Sequence, residues 1–261
     1  MSEQRIPSAD GTTIGWEVTG SGPPLVLVHG TTADRMRWAT VLDPLAERFT
    51  VHAVDRRGRG LSGDADAYAI EREFADVAAV VSALDGPVNL LGHSYGAVCS
   101  LEAALLTPNL GKLILYEPPL PVGVEIATDE VLARVDEHVA GGEPEEALVT
   151  FLTEVVRMPP EQLERMRSLP QWQRRVSIAH TLTREQRLES SYRPALERFE
   201  AVEVPTLLMV GTESPPFLTE PVAILEKILP KARVVELQGQ AHVAMDTAPD
   251  LFVGEVLRFL E

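Results

Sequence analysis

The chain predicts an α/β fold, a mainly parallel, doubly wound sheet with a helical insertion, and three observations carry that prediction. Extended apolar runs alternate with helical periods over most of the 261 residues, as in parallel strands joined by crossover helices. The run Val88 to Leu91 leads into Gly92-His93-Ser94-Tyr95-Gly96, and a segment of good helix formers follows it. After Glu117 the alternation stops at Pro118, Pro119 and Pro121, and charged sequence with helical periodicity fills the stretch to about residue 200.

In chain order, Ile6 to Ser8 and Thr12 to Val18 flank Asp10-Gly11, a hairpin signal. Pro24 to Val28 reads as a buried strand, Met36 to Arg48 as a helix and Thr50 to Val54 as another strand. Ile70, Phe74, Val77, Val81 and Leu84 recur at helical spacing, which predicts a helix over 70–84. The run before Ser94 and the helix after it come next, then a strand over Lys112 to Tyr116. Within the insertion, amphipathic periods predict helices over Asp129 to Val139, Pro144 to Met158, Pro160 to Ser168 and Arg184 to Phe199. Strand signals return at Val204 to Val210 and Arg233 to Leu237, with helices at Phe217 to Leu229 and Pro249 to Leu260. The domain expectation is therefore a core of 1–120 and 201–261 with a helical cap, 121–200.

The charge balance of 23 basic against 39 acidic residues gives −16. Such a field repels nucleic acid and anionic membrane surfaces, so neither is expected as a partner. A small, largely uncharged molecule suits it as substrate. One cysteine, Cys99, excludes an internal disulfide and a zinc site of paired cysteines. Acidic pairs such as Asp64/Asp66 and Glu145/Glu146 lack histidines at ligand spacing, so no metal is expected. Gly58 and Gly60 lack the strand-to-helix setting of a dinucleotide fingerprint, so no cofactor is expected either. With no apolar stretch near Met1 and only strand-length apolar runs, the expected location is the cytoplasm.

Glycines two positions before and after Ser94 let the chain reverse tightly, which strains the serine backbone and lifts its hydroxyl clear of the sheet. A serine hydroxyl is a poor nucleophile at neutral pH, and needs a base in reach and an acid to hold that base's tautomer. Four segments stand in order: Val28-His29-Gly30-Thr31, Asp55-Arg56-Arg57-Gly58-Arg59-Gly60-Leu61-Ser62, the turn at Ser94, and Gly239-Gln240-Ala241-His242. Together they resemble the α/β-hydrolase superfamily over nearly the whole chain, on its serine esterase and lactonase-like branch.

That resemblance implies Ser94 as nucleophile and His242 as base. The family's commonest acid position, three residues past the glycine after the strand Thr206 to Val210, holds Ser214 here, with Glu213 beside it. Some branches place a glutamate directly after the preceding strand, and Leu115-Tyr116-Glu117-Pro118 is similar to that arrangement. Glu117 is therefore the preferred acid and Glu213 the alternative. The N–H groups of Tyr95 and Thr31 are the expected oxyanion donors, with Thr32 nearby. His29 is expected to orient this loop. The segment from Asp55 is expected to form a tight structural loop, with Asp55 and its arginines binding local backbone. Phe151, Met158, Met166 and Trp172 either line a pocket or form the insertion's own packing face, and Trp38 and Phe217 are pocket candidates. The implied activity is hydrolysis of an ester or lactone through an acyl-enzyme. Carbon–carbon bond hydrolysis, hydroxynitrile cleavage, cofactor-free oxygenation and a non-catalytic binding role are the alternatives.

Overall fold

A computed structural model describes residues 2–121 and 127–261, leaving aside the side chains of 188–190. The strands are β1 (Ser2–Pro7), β2 (Thr13–Thr19), β3 (Pro24–Val28), β4 (Thr50–Asp55), β5 (Val88–His93), β6 (Leu110–Tyr116), β7 (Thr206–Gly211) and β8 (Ala232–Leu237). They form one sheet in the order β1-β2-β4-β3-β5-β6-β7-β8. The hairpin β1/β2 is antiparallel, as is the β2/β4 pairing, and from β4 to β8 every neighbour is parallel.

Helices α1 (Ala39–Ala46), α2 (Ile70–Ser82), α3 (Tyr95–Ala104), α9 (Pro216–Ile228), α10 (Ala244–Thr247) and α11 (Pro249–Leu260) cover the sheet. Between β6 and β7 lie α4 (Asp129–Ala140), α5 (Pro144–Thr150), α6 (Pro160–Arg167), α7 (Trp172–Ser177) and α8 (Leu182–Ser191). Strand residues alternate between faces, and so do the cores. Val26, Val28 and Leu90 join the cluster under α2, α3 and α9, whereas Leu25, Leu27 and Leu91 join the one under α1 and α11. None of the described helices is long and apolar enough to cross a membrane.

The insertion departs most from its periodicity. It builds a core of its own, in which Leu132, Val135, Leu148, Leu152, Trp172 and Leu182 pack together. The expected helix over 184–199 begins at Leu182 and ends at Ser191, because Pro194 supplies no N–H for a continuing turn. A separate 3-10 turn follows at Leu196–Ala201. The expected helix from Pro144 to Met158 passes into a π-helical turn at Phe151–Val155, and α7 carried too few residues to register as a period. The stretch 122–126 of the expected cap lies outside the described residues.

Candidate active site

Three parallel strands end side by side, and a residue just past each bends against its own preference. Ser94 after β5 has φ 56° and Glu117 after β6 has φ 48°, while Thr32, in the loop after β3, has φ 61°. These account for all but one of the positive-φ non-glycine residues described, the other being Arg157. Strain gathered at one sheet edge is the mark of a site over-determined by its surroundings. The register explains the convergence. Ser94 N–H donates to Tyr116 O at 2.9 Å, and Glu117 N–H donates to Met209 O at 3.1 Å, so each bend is held by the adjacent strand.

Glycine is needed on both sides of Ser94. A Cβ on Gly92 would stand 2.5 Å from the carbonyl of Gly96, and one on Gly96 would strike the carbonyls of Val28 and His29. Gly30 approaches the serine itself, its Cβ position lying 3.2 Å from Ser94 Oγ. The Ser94 side is half-buried, so its hydroxyl can be reached, and α3 begins directly behind it.

Glu117 is fully buried and three donors converge on its carboxyl group. Gly211 N–H reaches Oε1 at 2.7 Å, Ser214 Oγ reaches the same oxygen at 2.6 Å, and His242 Nδ1 lies 2.5 Å from Oε2. Since the carboxyl accepts, Nδ1 carries the proton and Nε2 of His242 is left as an acceptor. Glu213 is exposed and turns its backbone N–H to Gln240 O instead. Thus Ser214, at the position where the family's aspartate commonly stands, acts as a donor to the glutamate one strand away. That partnership is invisible along the sequence because 97 positions separate the two residues.

His242 is only partly buried and its loop is held from below. His93 Nε2 donates to the His242 carbonyl at 2.8 Å, and the two rings lie 4.5 Å apart. Burial, then the proximity of His242 and Arg37, lowers the His93 pKa well below the usual histidine range, which keeps that ring neutral. Tyr116 OH donates to Ala241 O and accepts from Ala244 N–H. Neither His93 nor Tyr116 stood out in the sequence. Their signal is position alone, one residue before Ser94 and one before Glu117.

The loop after β3 is organised by His29, which is fully buried. Its Nε2 accepts from Arg56 N–H at 3.2 Å, so Nδ1 carries the proton donated to Gly30 O at 2.8 Å. The N–H groups of Thr31 and Tyr95 have no hydrogen-bond acceptor among the described residues. Tyr95 opens α3, where the helix dipole favours an anion. Its ring lies under Arg56, 4.3 Å from the guanidinium carbon.

The arginines of the Asp55 segment correct an expectation. Asp55 does bind backbone, at Arg35 N–H and Leu61 N–H, each at 2.8 Å. The arginines are claimed chiefly by buried carboxylates instead. Arg56 pairs with Glu73 at 2.8 Å and with Glu185 at 3.1 Å, Arg57 pairs with Asp76 at 2.7 Å, and Arg59 pairs with Glu185. Glu185 belongs to α8, so this network ties the insertion to the sheet.

The remaining pocket candidates scatter. Phe151 and Trp172 lie in the insertion's own apolar cluster, and Met158 and Met166 pack against it. Trp172 Nε1 donates to Glu145 at 2.9 Å. Trp38 is buried beneath the sheet edge, edge-on to His93, and Phe217 is half-buried at the start of α9. A cavity of about 330 Å³ opens instead between α7 and the loop after β3, and Met166 is on its wall.

Comparison with known proteins agrees with this architecture. A 2-(acetamidomethylene)succinate hydrolase from Mesorhizobium japonicum is 26% identical over 258 residues, covering 95% of this chain and 92% of its own. An alpha/beta hydrolase from Sphaerobacter thermophilus superposes with a TM-score of 0.87 at 36% identity, over 99% of this chain and 100% of that one. An esterase from a Rhodococcus species matches with a TM-score of 0.78 at 26% identity, over 99% and 98%. The model of the alpha/beta hydrolase family matches residues 25–255, and the chain belongs to that family.

Proposed function

We propose that the protein is a serine hydrolase that cleaves a carboxylic ester or lactone of a small molecule through an acyl-enzyme on Ser94. The observation that carries this reading is the Glu117 carboxyl on His242 Nδ1, at the same sheet edge as the strained serine. With Nδ1–H held, Nε2 takes the proton from Ser94 Oγ as the oxygen attacks the carbonyl carbon. The negative charge that develops on the carbonyl oxygen is met by the N–H groups of Tyr95 and Thr31. His242 then gives its proton to the leaving alcohol. Water attacks the acyl group with His242 again as base, releasing the acid and restoring the serine hydroxyl.

Glu117 is the acid of this triad, and its burial restricts it to holding the His242 ring and offsetting the charge the ring acquires. Ser214 and Gly211 keep the carboxyl in that orientation. A fluorophosphonate probe and a panel of p-nitrophenyl esters and lactones test the reading. Labelling at Ser94 with turnover of at least one ester is expected, and a folded protein that neither labels nor turns over would overturn it. Amide hydrolysis is a second reading, favoured by the acetamido group in the name of the relative from Mesorhizobium japonicum. Turnover of amides in preference to matched esters would select it.

A further inference from the structure

The seam between α7, α8 and the core is lined with arginines, and all but one of those facing the core are matched by carboxylates. Arg37 pairs with Asp246, Arg174 with Asp34 at 2.6 Å, Arg184 with Asp64 at 2.8 Å, and Arg59 with Glu185. Arg175 has no carboxylate within ion-pair distance among the described residues. Its Nη1 donates to Thr32 O at 2.5 Å and to Thr32 Oγ1 at 3.2 Å. Its Nε and Nη2 have no partner among the described residues. That edge of the guanidinium is a fork of two parallel N–H bonds that a carboxylate can grip with both oxygens.

Arg175 lines the cavity of about 330 Å³ described above, together with Arg37, Arg174, Asp34 and Asp246. The charges there sum simply. Two of the three arginines are neutralised by the two aspartates, and His93 behind them is neutral, so one positive charge is left over. Arg37 Nε on the same wall is buried without a partner. Burial and the neighbouring Arg37 push the Arg175 pKa down to about 10 against the pull of Asp246 and Asp34, and it remains charged at neutral pH. A cation in excess of the carboxylates beside it, half-buried in a groove, favours an anion on its open edge. Met36, Met166 and Leu169 complete the wall with apolar surface suited to a short carbon chain. Thr32, which Arg175 holds, is two residues past Gly30, and Gly30 touches Ser94, so it is Thr32 that stands within about 7 Å of chain from the residue at the serine.

We propose that Arg175 anchors a carboxylate on the substrate, so that the cleaved molecule is an acyl compound bearing a carboxylate a short carbon chain away from the scissile carbonyl. This rests on the serine hydrolase reading above and narrows its substrate class. The overall −16 charge slows encounter with an anion but does not govern a half-buried site that is locally positive. The substrate held there is therefore an anion, although the net charge alone favours an uncharged one.

The test compares mono-p-nitrophenyl glutarate with p-nitrophenyl butyrate in the native protein, Arg175→Ala and Arg175→Lys. We expect the native protein to prefer the glutarate ester in kcat/KM, and Arg175→Ala to cut that preference by about 10- to 100-fold, mainly through KM, as for loss of a charged hydrogen bond. Arg175→Lys should restore part of it. If both esters lose activity equally in Arg175→Ala, the arginine only braces Thr32 and the proposal falls. A second arm needs no turnover: calorimetric titration of glutarate into Ser94→Ala and into Ser94→Ala/Arg175→Ala. Binding should weaken about tenfold or more in the double variant. Arg175-dependent glutarate binding in a protein that hydrolyses nothing would sink the hydrolase reading and leave the anion site standing. Glutarate binding that ignores Arg175 would overturn the anion site whatever the turnover.

Discussion

The two walls of the site are built from different materials. On the sheet side, backbone does the holding: Ser94, Glu117 and Thr32 are bent into the left-handed region, and carbonyls of the neighbouring strands fix the first two by accepting their N–H groups. On the insertion side, side chains do it, with Arg174 on Asp34, Arg175 on Thr32 and Glu185 between Arg56 and Arg59. Backbone geometry is set by strand register and tolerates little change, whereas ion pairs can be exchanged one at a time. On the proposed serine hydrolase reading, the sheet wall would carry the chemistry and the insertion wall would choose what reaches it.

Substitutions on the two walls should separate accordingly. Ser94→Ala should remove hydrolysis by about 10⁴-fold or more, with the melting temperature nearly preserved. Substantial residual turnover would move the chemistry off the sheet wall. Glu117→Gln should lower kcat by about 10³-fold or more by giving His242 the wrong partner, while Glu213→Gln stays within about twofold. The reverse result would return the acid to the loop after β7.

Glu185→Gln probes the other wall, because it leaves Arg56 and Arg59 buried with too little negative charge. A loss of about 3 kcal/mol, or about 8 °C in melting temperature, is expected from calorimetry. Collapse of kcat with unchanged stability would mean that the walls are not separable.

Below both walls, burial lowers the His52 pKa to about 4, and its Nδ1 accepts from Trp16 Nε1 at 3.1 Å. The unfolded chain binds the proton near the ordinary value of 6.5 and the folded one does not. Stability is therefore full above that value and falls as pH drops from about 6.5 towards 4. The loss should reach about 2 kcal/mol by pH 5, and His52→Gln should flatten that part of a denaturation-against-pH curve. His29 and His93 are shifted in the same direction, so some acid sensitivity will remain. The smallest effect belongs to Arg174→Ala, which breaks a half-exposed pair with Asp34. Less than about 1 kcal/mol is expected, shrinking further in high salt.

How much of this was legible in advance differs by wall. Ser94 is readable because its turn is local: two glycines, a strand before and a helix after all lie within a few residues. Glu117 was readable only as one of two candidates, since the choice depended on Ser214 and Gly211, which reach it from the next strand. Arg175 carried no signal at all in its own segment, where it follows another arginine in a helix of six residues. Phe151 and Trp172 were open between pocket and packing because an apolar stripe does not say which body it faces.

The sequence by itself determined the order and type of the sheet elements, the strained turn at Ser94 and the short list of partners, because these follow from periodicity and from glycine at set spacing. Tertiary structure alone decided which glutamate meets His242 and, among the described residues beside α7, which arginines are paired with carboxylates and which one is not. Those outcomes are sums over charges and donors brought together from distant parts of the chain. A residue's neighbours in space, not in sequence, decide whether its charge is matched.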